Sequence, residues 1–220
     1  MFDLEYLIKI FPQILSRSYI TLEITFISSI IAFLLGSLIA VVNYNRVTFL
    51  YPITKTFVSV IRGTPGVAQL YFFYYGLAVF SESVRNMTPL IAVSVVLSLN
   101  ASAFMSESLR GGLISVDEGQ IEAAKSLGIS SFNIFKRIIF PQAIRVAIPP
   151  LFNDLINLIK LSSLSFMIGV ADIMGAAKIE GAKTFRYFEI YAVVMLVYWL
   201  IIMIFGAISK QIEKKIAREY

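Results

Sequence analysis

The stretch SVDEGQIEAAKSLGISSFNIFKRIIFP, residues 115–141, is a polar, helix-forming segment that lies between long apolar segments. Ser115 followed by Glu118 has the pattern of a capping box, in which a hydroxyl and a carboxylate cap the first turn of a helix. Gly128 is suited to end that helix, because glycine adopts the left-handed conformation at low cost. A serine pair then predicts a second short helix that ends before Pro141. We therefore expect two short helices joined by a turn and exposed to water.

The composition of the whole chain is that of an integral membrane protein. Of its 220 residues, 58% are hydrophobic and 15% are charged, and the mean hydropathy is +0.79. Soluble domains average about 45–50% apolar and about 25% charged residues. Apolar runs of about 20 residues are long enough to cross a bilayer. The sequence predicts an all-α fold with five transmembrane helices, at about 20–42, 51–80, 90–109, 144–170 and 190–207.

The first residues of the chain differ from a secretory signal peptide. Residues 1–18 contain Asp3, Glu5, Lys9 and Arg17, and so lack a basic start followed by an apolar core. Their apolar residues follow helical spacing, which predicts an extracytoplasmic helix lying on the membrane surface. No repeat or low-complexity linker divides the chain, so we expect 1–220 to form a single transmembrane domain.

The basic residues predict how the chain is oriented. Eleven of the nineteen Lys and Arg residues lie at the ends that hold residues 115–141 and the carboxyl terminus, and six lie at the opposite ends. Cytoplasmic ends of membrane proteins carry this excess, so the amino terminus is predicted outside and the carboxyl terminus inside. The net charge of +5 is then a topology signal, and no nucleic-acid partner is expected. Because the chain contains no Cys or His, it lacks disulfides and thiolate or imidazole metal sites.

The polar segment also carries a family motif. Residues 122–124 read EAA, Gly128 follows after three residues, and IIFP follows after nine more at 138–141. This spacing resembles the EAA signature of ABC-importer permease subunits, which ends Ile-x-Leu-Pro, so Phe140 is a departure. Five further motifs are similar to the polar amino-acid branch of that family: RGTP at 62–65, ESLRGG at 107–112, PQA at 141–143, PPL at 149–151 and KLSSL at 160–164. The resemblance covers about residues 15–210.

The resemblance implies the architecture and partners of a type I ABC importer in a bacterial inner membrane. The chain would pair with a second permease, identical or related, and with two ATPase subunits, an extracytoplasmic amino-acid-binding protein and membrane lipid. It would bind no cofactor itself, since ATP and Mg would bind to the ATPase; the absence of a G-x-x-x-x-G-K-[ST] pattern agrees. Residues 115–128 would form a coupling helix that contacts the ATPase and drives alternating access. Its implied contact residues are Glu118, Glu122, Ala123, Ala124 and Gly128.

Several polar residues within the predicted spans are candidates for binding a solute. An ionisable group at the bilayer centre costs about 2.5–3.5 kcal/mol on insertion, so each needs a physical reason. The polar candidates are Arg62, Asn100, Glu107, Asp154, Asn157 and Lys160. The apolar Leu161 is added because it falls on one helix face with Asp154 and Asn157. Where this chain has Leu161, transporters of the resembling branch often carry a polar or acidic residue.

Three of these candidates also have a structural alternative. Glu107 is three residues from Arg110 and can pair with it. Lys160 can pair with Asp154 or with a carbonyl, or extend its ammonium group toward the membrane surface. Asn100 can form an interhelical hydrogen bond.

Arg62 stands beside a predicted break in the second span. Thr64 can cap a new helix and Pro65 suits its first position, so a helix amino terminus beside Arg62 is predicted to hold a solute carboxylate. The alternative is that Arg62 stabilises the loop or a subunit contact.

The function that these features predict is ATP-driven import of an amino acid. Glu107 and Asp154 would attract a cationic side chain, such as that of arginine, lysine or histidine. The alternatives are an EAA-type permease for another small solute, a membrane-embedded enzyme that uses these two carboxyls as acid and base, or an ATP-independent pore. Glu82, Arg85 and residues 172–186 are candidate docking points for the binding protein, although 172–186 also reads as a solvated loop.

Overall fold

The computed structural model describes residues 3–218, so Met1 and Phe2 of the predicted amino-terminal segment, and the last two residues of the predicted domain, lie outside it. The described chain consists of helices and their connections: α1 (Leu4–Leu15), α2 (Ser18–Asn45), α3 (Tyr51–Gly63), α4 (Gly66–Tyr71), α5 (Glu82–Arg85), α6 (Pro89–Ile114), α7 (Glu118–Ser126), α8 (Ser131–Ile134), α9 (Phe140–Leu161), α10 (Ile173–Thr184) and α11 (Tyr187–Arg218). Segments of π-helix follow α4 and α8 at Phe72–Gly76 and Phe135–Ile139, and segments of 3-10 helix lie at Leu77–Val79 and Ser162–Ile168.

The long apolar helices confirm an all-α membrane architecture. Within residues 3–218, four helical stretches are long and apolar enough to cross a bilayer, namely Leu4–Asn45, Pro89–Ile114, Ser131–Ile168 and Tyr187–Ile216. The predicted second span is built from two shorter pieces, α3 and the apolar stretch Gly66–Val79. α6 and α11 continue past their predicted ends because their polar residues extend the helix beyond the apolar run.

The break between α3 and α4 is present, but its predicted capping is wrong. Thr64 ends α3 instead of capping α4, and its hydroxyl donates back to the Val60 carbonyl at 2.8 Å. Pro65 is the extended cap residue, and the first helical residue is Gly66. A residue that precedes proline is forced toward extended backbone, which places Thr64 outside the new helix.

The start of α7 also differs from the sequence prediction. Asp117, and not Ser115, caps the helix: the Asp117 carboxylate accepts from the Gln120 N–H at 3.1 Å. Since α6 extends to Ile114, Ser115 instead caps its end, and the Ser115 hydroxyl donates to the Gly112 carbonyl at 2.7 Å. The capping box was therefore assigned two residues too early.

The predicted end of α7 at Gly128 is confirmed. Gly128 has a φ of 74°, and its N–H donates to the Lys125 carbonyl at 2.9 Å. The Ile129 N–H donates to the Ala124 carbonyl at 3.1 Å, which completes a Schellman motif. The glycine is required here because L side chains rarely adopt this backbone conformation.

The second predicted loop helix does not end before Pro141. α8 runs through the π segment directly into α9, with Pro141 in the first turn of α9. The wider π turn places the proline at the start of an α-helix, where its missing N–H is tolerated. The loop is thus continuous with the membrane helix that follows.

Two glycines allow the central helices α2, α6 and α9 to approach closely. A Cβ atom at Gly36 in α2 would lie 3.0 Å from the Ser102 carbonyl of α6. A Cβ atom at Gly112 in α6 would lie 2.4 Å from the Ala143 carbonyl of α9. Small residues at such crossings let helices pack through their backbones in a membrane.

The amino-terminal helix α1 packs against α10 and α11. Within residues 172–186, expected as a docking site or a solvated loop, Ile173–Thr184 form α10. The Tyr6 hydroxyl contacts Glu180 Oε1 at 3.1 Å and Thr184 Oγ1 at 3.2 Å. Asp3 pairs with Arg186, and the guanidinium holds the pKa of the Asp3 carboxyl below its usual value. This contact therefore persists throughout the neutral pH range, because Asp3 is protonated only at strongly acidic pH.

Candidate functional site

A cavity of about 450 Å³ lies between the start of α4, the middle of α6 and the end of α9. This volume suits a small-molecule ligand. Five of the seven predicted solute-binding residues line it: Asn100, Asp154, Asn157, Lys160 and Leu161. The lining is completed by Thr64, Gly66, Ala101, Phe104, Leu158, Ser163 and Leu164.

The Asn100 side chain forms one wall and also ties two helices together. Asn100 is buried, and its Nδ2 donates to Gln69 Oε1 on α4 at 2.8 Å. Gln69 Nε2 in turn donates to the Ile61 carbonyl at 2.8 Å and to Thr64 Oγ1 at 2.9 Å. The interhelical alternative for Asn100 is therefore formed, and it holds the α3–α4 break at the cavity wall. Sequence reasoning missed Gln69. Its position in the sequence, as an uncharged polar residue one turn beyond the break, could have indicated this role.

Asp154 supplies a carboxylate to the cavity. It is half-buried, and its Oδ2 accepts from the Ser108 hydroxyl of α6 at 2.6 Å. Ser108 was also missed, although it lies in the ESLRGG motif.

Lys160 lines the same cavity and follows Asp154 along α9. Its side chain is exposed and forms no ion pair with Asp154 or with another carboxylate of the described chain. The predicted pairing alternative for Lys160 is thus not formed. The cavity therefore presents an ammonium group and a carboxylate that do not neutralise each other by contact.

Glu107 and Arg62 lie beside the cavity and not in its lining. Glu107 accepts two hydrogen bonds from Arg110, at 2.9 and 2.6 Å. This is the local pair that the sequence predicted as the alternative to solute binding. Arg62 approaches Glu107 at 3.7 Å and lies 5.5 Å from the centre of the Phe104 ring. Phe104 itself lines the cavity. Arg62 is therefore engaged by a carboxylate next to the cavity, and its binding of a solute carboxylate stays a prediction.

The second candidate site is the α7 surface. The side chains of Glu118, Glu122 and Ala123 are exposed, as is Gly128. Ala124 differs, since it is only 4% exposed and packs inside its own chain. The exposed face of α7 thus combines carboxylates with a small residue.

The α7 helix is fixed to the membrane helices. Gln142 at the start of α9 donates to Gln120 Oε1 of α7 at 2.7 Å and to the Ile138 carbonyl at 3.0 Å. Two large apolar side chains of the same loop are exposed, Leu127 at 79% and Phe132 at 71%. Such exposed apolar residues beside charged ones are typical of a surface that binds another protein.

Comparison with known proteins identifies the family. Residues 32–218 match the family of binding-protein-dependent transport system inner membrane components. The chain is 36% identical to the probable amino-acid permease protein YxeN of Bacillus subtilis (strain 168), with 99% of this chain and 97% of the relative covered. It is 37% identical to the putative glutamine transport system permease protein GlnP of Rickettsia typhi (strain ATCC VR-144 / Wilmington), with 96% and 98% covered.

Solved structures agree with this fold. The chain superposes with a TM-score of 0.90 and 32% identity on an amino acid ABC transporter whose crystal structure was determined with histidines, over 98% of this chain and 99% of that chain. An inward-facing MetNI methionine ABC transporter, at 19% identity and a TM-score of 0.78, shares the fold over 96% and 98% of the two chains. The chain therefore belongs to the inner membrane components of binding-protein-dependent transport systems, as an ABC importer permease of the amino-acid family.

Proposed function

We propose that the cavity between α4, α6 and α9 binds an amino acid during ATP-driven import. The observation that carries this proposal is the pair of opposite charges in one cavity, Asp154 and Lys160, with the amides of Asn100 and Asn157 beside them. An amino acid carries both an ammonium and a carboxylate, so each end finds a complementary group. In our proposal Lys160 binds the α-carboxylate and Asp154 binds a positively charged or polar group.

The preferred solutes are polar amino acids, including cationic ones. The names of two relatives support this, one a putative glutamine permease and the other an amino acid transporter crystallised with histidines. Asp154 is the one carboxylate among the described lining residues, and a carboxylate attracts cations. Glu107 is already paired with Arg110, so the predicted attraction rests on Asp154.

ATP and Mg are proposed to bind to a separate ATPase, two copies of which would dock on the α7 surfaces of two permease chains, identical or related. Glu118, Glu122, Ala123 and Gly128 would contact the ATPase directly. Ala124 would act from inside by packing α7 onto its own chain. The hydrogen bond from Gln142 to Gln120 would transmit the motion of α7 to α9, which carries the cavity residues.

The remaining assignments concern the membrane. The α7 surface and the carboxyl terminus are proposed to be cytoplasmic, and α1, α5 and α10 extracytoplasmic, where a binding protein would deliver the solute. A membrane-embedded enzyme or an ATP-independent pore is not favoured, because the relatives are named as transport permeases.

The Asp154→Asn variant tests the solute site. Replacing the carboxylate removes a charge-assisted contact worth about 1.5–3 kcal/mol, so we expect the KM for arginine to rise at least about 10-fold. Uptake of glutamine, which lacks the positive side chain, should change less. The measurement is uptake into proteoliposomes with the intact transporter, and Glu5→Gln, which removes an exposed carboxylate of α1, is the matched control.

Two results would reject this assignment. If arginine transport is unchanged while the complex assembles normally, Asp154 does not contact the cation. If arginine and glutamine uptake fall equally, Asp154 acts on the permease itself and does not select the solute.

The Glu118→Lys variant tests the docking surface. Reversing this exposed charge in the first turn of α7 should weaken association with the ATPase by about 10-fold or more, because like charges across an interface repel. Glu82→Lys is the matched control, since Glu82 occupies the equivalent first-turn position of α5 and is also exposed. The measurement is the amount of ATPase that copurifies with the permease. Equal amounts with both variants would place the ATPase elsewhere.

A further inference from the structure

The exposed faces of the long membrane helices are of two kinds. Every exposed residue of α2 between Phe26 and Leu38 is apolar, and so is every exposed residue of α11 between Met195 and Ile208. Such faces are suited to contact lipid. α9 differs, because after Val146 its exposed residues are all polar, namely Asn153, Asn157 and Lys160.

These exposed residues form one stripe along α9. Val146, Asn153, Asn157 and Lys160 follow one another at intervals of seven, four and three positions, which places them on the same side of a helix. Asn153 lies near the middle of the helical stretch Ser131–Ile168, which is long enough to cross the bilayer. The exposed polar stripe is therefore at membrane depth.

Asn153 is the member of the stripe whose exposure needs an explanation. Within residues 3–218 its side chain forms no hydrogen bond, and it does not belong to the lining of the transport cavity. An amide that faces hydrocarbon without a hydrogen-bond partner is unfavourable. Polar residues of membrane helices instead face other helices or water-filled cavities. Since its own chain does not cover Asn153, another chain must do so.

The helix α3 is also left partly uncovered by its own chain. Val58 is the one buried residue among the 13 of this helix. Its exposed residues include Thr56 and Ser59, which are polar and lie on one side of α3. Thr64, which ends α3, lines the transport cavity together with Asn157 of α9. The two helices with uncovered polar faces thus flank the same cavity.

We propose that the α9 stripe binds a second copy of this chain about a two-fold axis that passes near Asn153, with α3 at the edge of the contact. This inference rests on the proposed function, which requires two permease chains.

The chemistry of the stripe favours an identical partner. A two-fold contact joins one surface to itself, so that surface must be self-complementary. An asparagine amide both donates and accepts, so Asn153 can pair with the partner's Asn153. Lys160 lies seven positions away, about 10 Å along the helix, so like charges need not meet at the axis. Because Asn157 belongs both to the stripe and to the cavity lining, the second copy completes the surroundings of the solute site.

The test is photo-cross-linking in membranes that contain the intact transporter, with two copies of the chain that carry different tags. A benzophenone amino acid is introduced at position 153, because this group reacts with neighbouring C–H bonds of lipid and protein alike. Irradiation should shift the chain to twice its mass, in a product that carries both tags. The matched control has the same group at position 34, since Leu34 is 60% exposed on the apolar face of α2. The control should remain at the mass of a single chain.

Three results would overturn the proposal. A product with only one of the tags would identify a different chain as the partner, equal yields from positions 153 and 34 would mean that the contact is not specific to α9, and products with lipid alone would leave the stripe without a partner chain. If the bulky group at position 153 prevents assembly, position 146 provides the test, because Val146 is 50% exposed on the same stripe. Failure here would leave the solute site standing, since the effect of Asp154→Asn on arginine uptake does not depend on which chain covers α9.

Discussion

Gln69 is the residue on which the shape of the cavity wall depends. Its amide donates to the Ile61 carbonyl and to Thr64 at the end of α3, and its carbonyl oxygen accepts from Asn100 of α6. A helix break leaves carbonyl groups without a partner in their own helix, and within a bilayer another group must satisfy them. Gln69 does so and, at the same time, fixes the break to the neighbouring helix.

The Gln69→Leu variant tests this role. Leucine is of similar size but leaves the Asn100 amide and the α3 carbonyls without their partner. We expect the free energy of unfolding to fall by about 1–3 kcal/mol, the cost of leaving a buried polar group unsatisfied. The measurement is thermal unfolding of the purified complex. Gln13→Leu, at an exposed position of α1, should have little effect. An equal loss of stability in both variants would show that the hydrogen bonds of Gln69 do not stabilise the break.

Sequence reasoning succeeds with residues whose signal is local and fails with those that depend on a distant partner. Asp154, Asn157 and Leu161 share one helix face, so their common exposure to the cavity could be predicted from spacing alone. The Glu107–Arg110 pair, three residues apart, was likewise visible. The Ser108–Asp154 contact spans 46 positions and depends on how α6 and α9 cross, which no local pattern shows.

At the scale of the helices, the presence of each helix was easier to predict than the residues at which it begins and ends. The five apolar segments follow from hydropathy, because bilayer thickness sets their length. The start of α7 was misplaced because Ser115 and Asp117 are both good caps, and the extension of α6 decides between them. The continuation through Pro141 was missed because a π turn has no clear sequence signal.

The crossing of α6 and α9 yields a test at this scale. In Gly112→Ala the added Cβ would meet the Ala143 carbonyl at 2.4 Å, and neither backbone can yield without moving its helix. We expect destabilisation of about 1–3 kcal/mol and weaker coupling of transport to ATP hydrolysis. Gly111→Ala is the control on the same helix, since no atom lies within 4 Å of its added Cβ. Thermal unfolding of the two variants gives the comparison, and equal stability would mean that the crossing is looser than described.

For the molecule as a whole, α6 connects two membrane surfaces that carry different short helices. Its 26 residues span about 39 Å at 1.5 Å per residue, enough to cross the hydrocarbon layer. α5 precedes it at the end that holds α1 and α10, and α7 follows it at the end richer in Lys and Arg. The positive-inside tendency therefore predicts that α7 lies in the cytoplasm and α5 outside.

Because the chain contains no cysteine, single cysteines can report this orientation without background. Ser83→Cys in α5 and Ser126→Cys in α7 are conservative changes at exposed positions. In right-side-out spheroplasts a membrane-impermeant maleimide should label Ser83→Cys at once, and Ser126→Cys only after the membrane is opened. The unmodified chain should remain unlabelled in both conditions. Labelling of Ser126→Cys in sealed spheroplasts would show that the chain has the opposite orientation. An ATPase in the cytoplasm could not then reach the α7 surface.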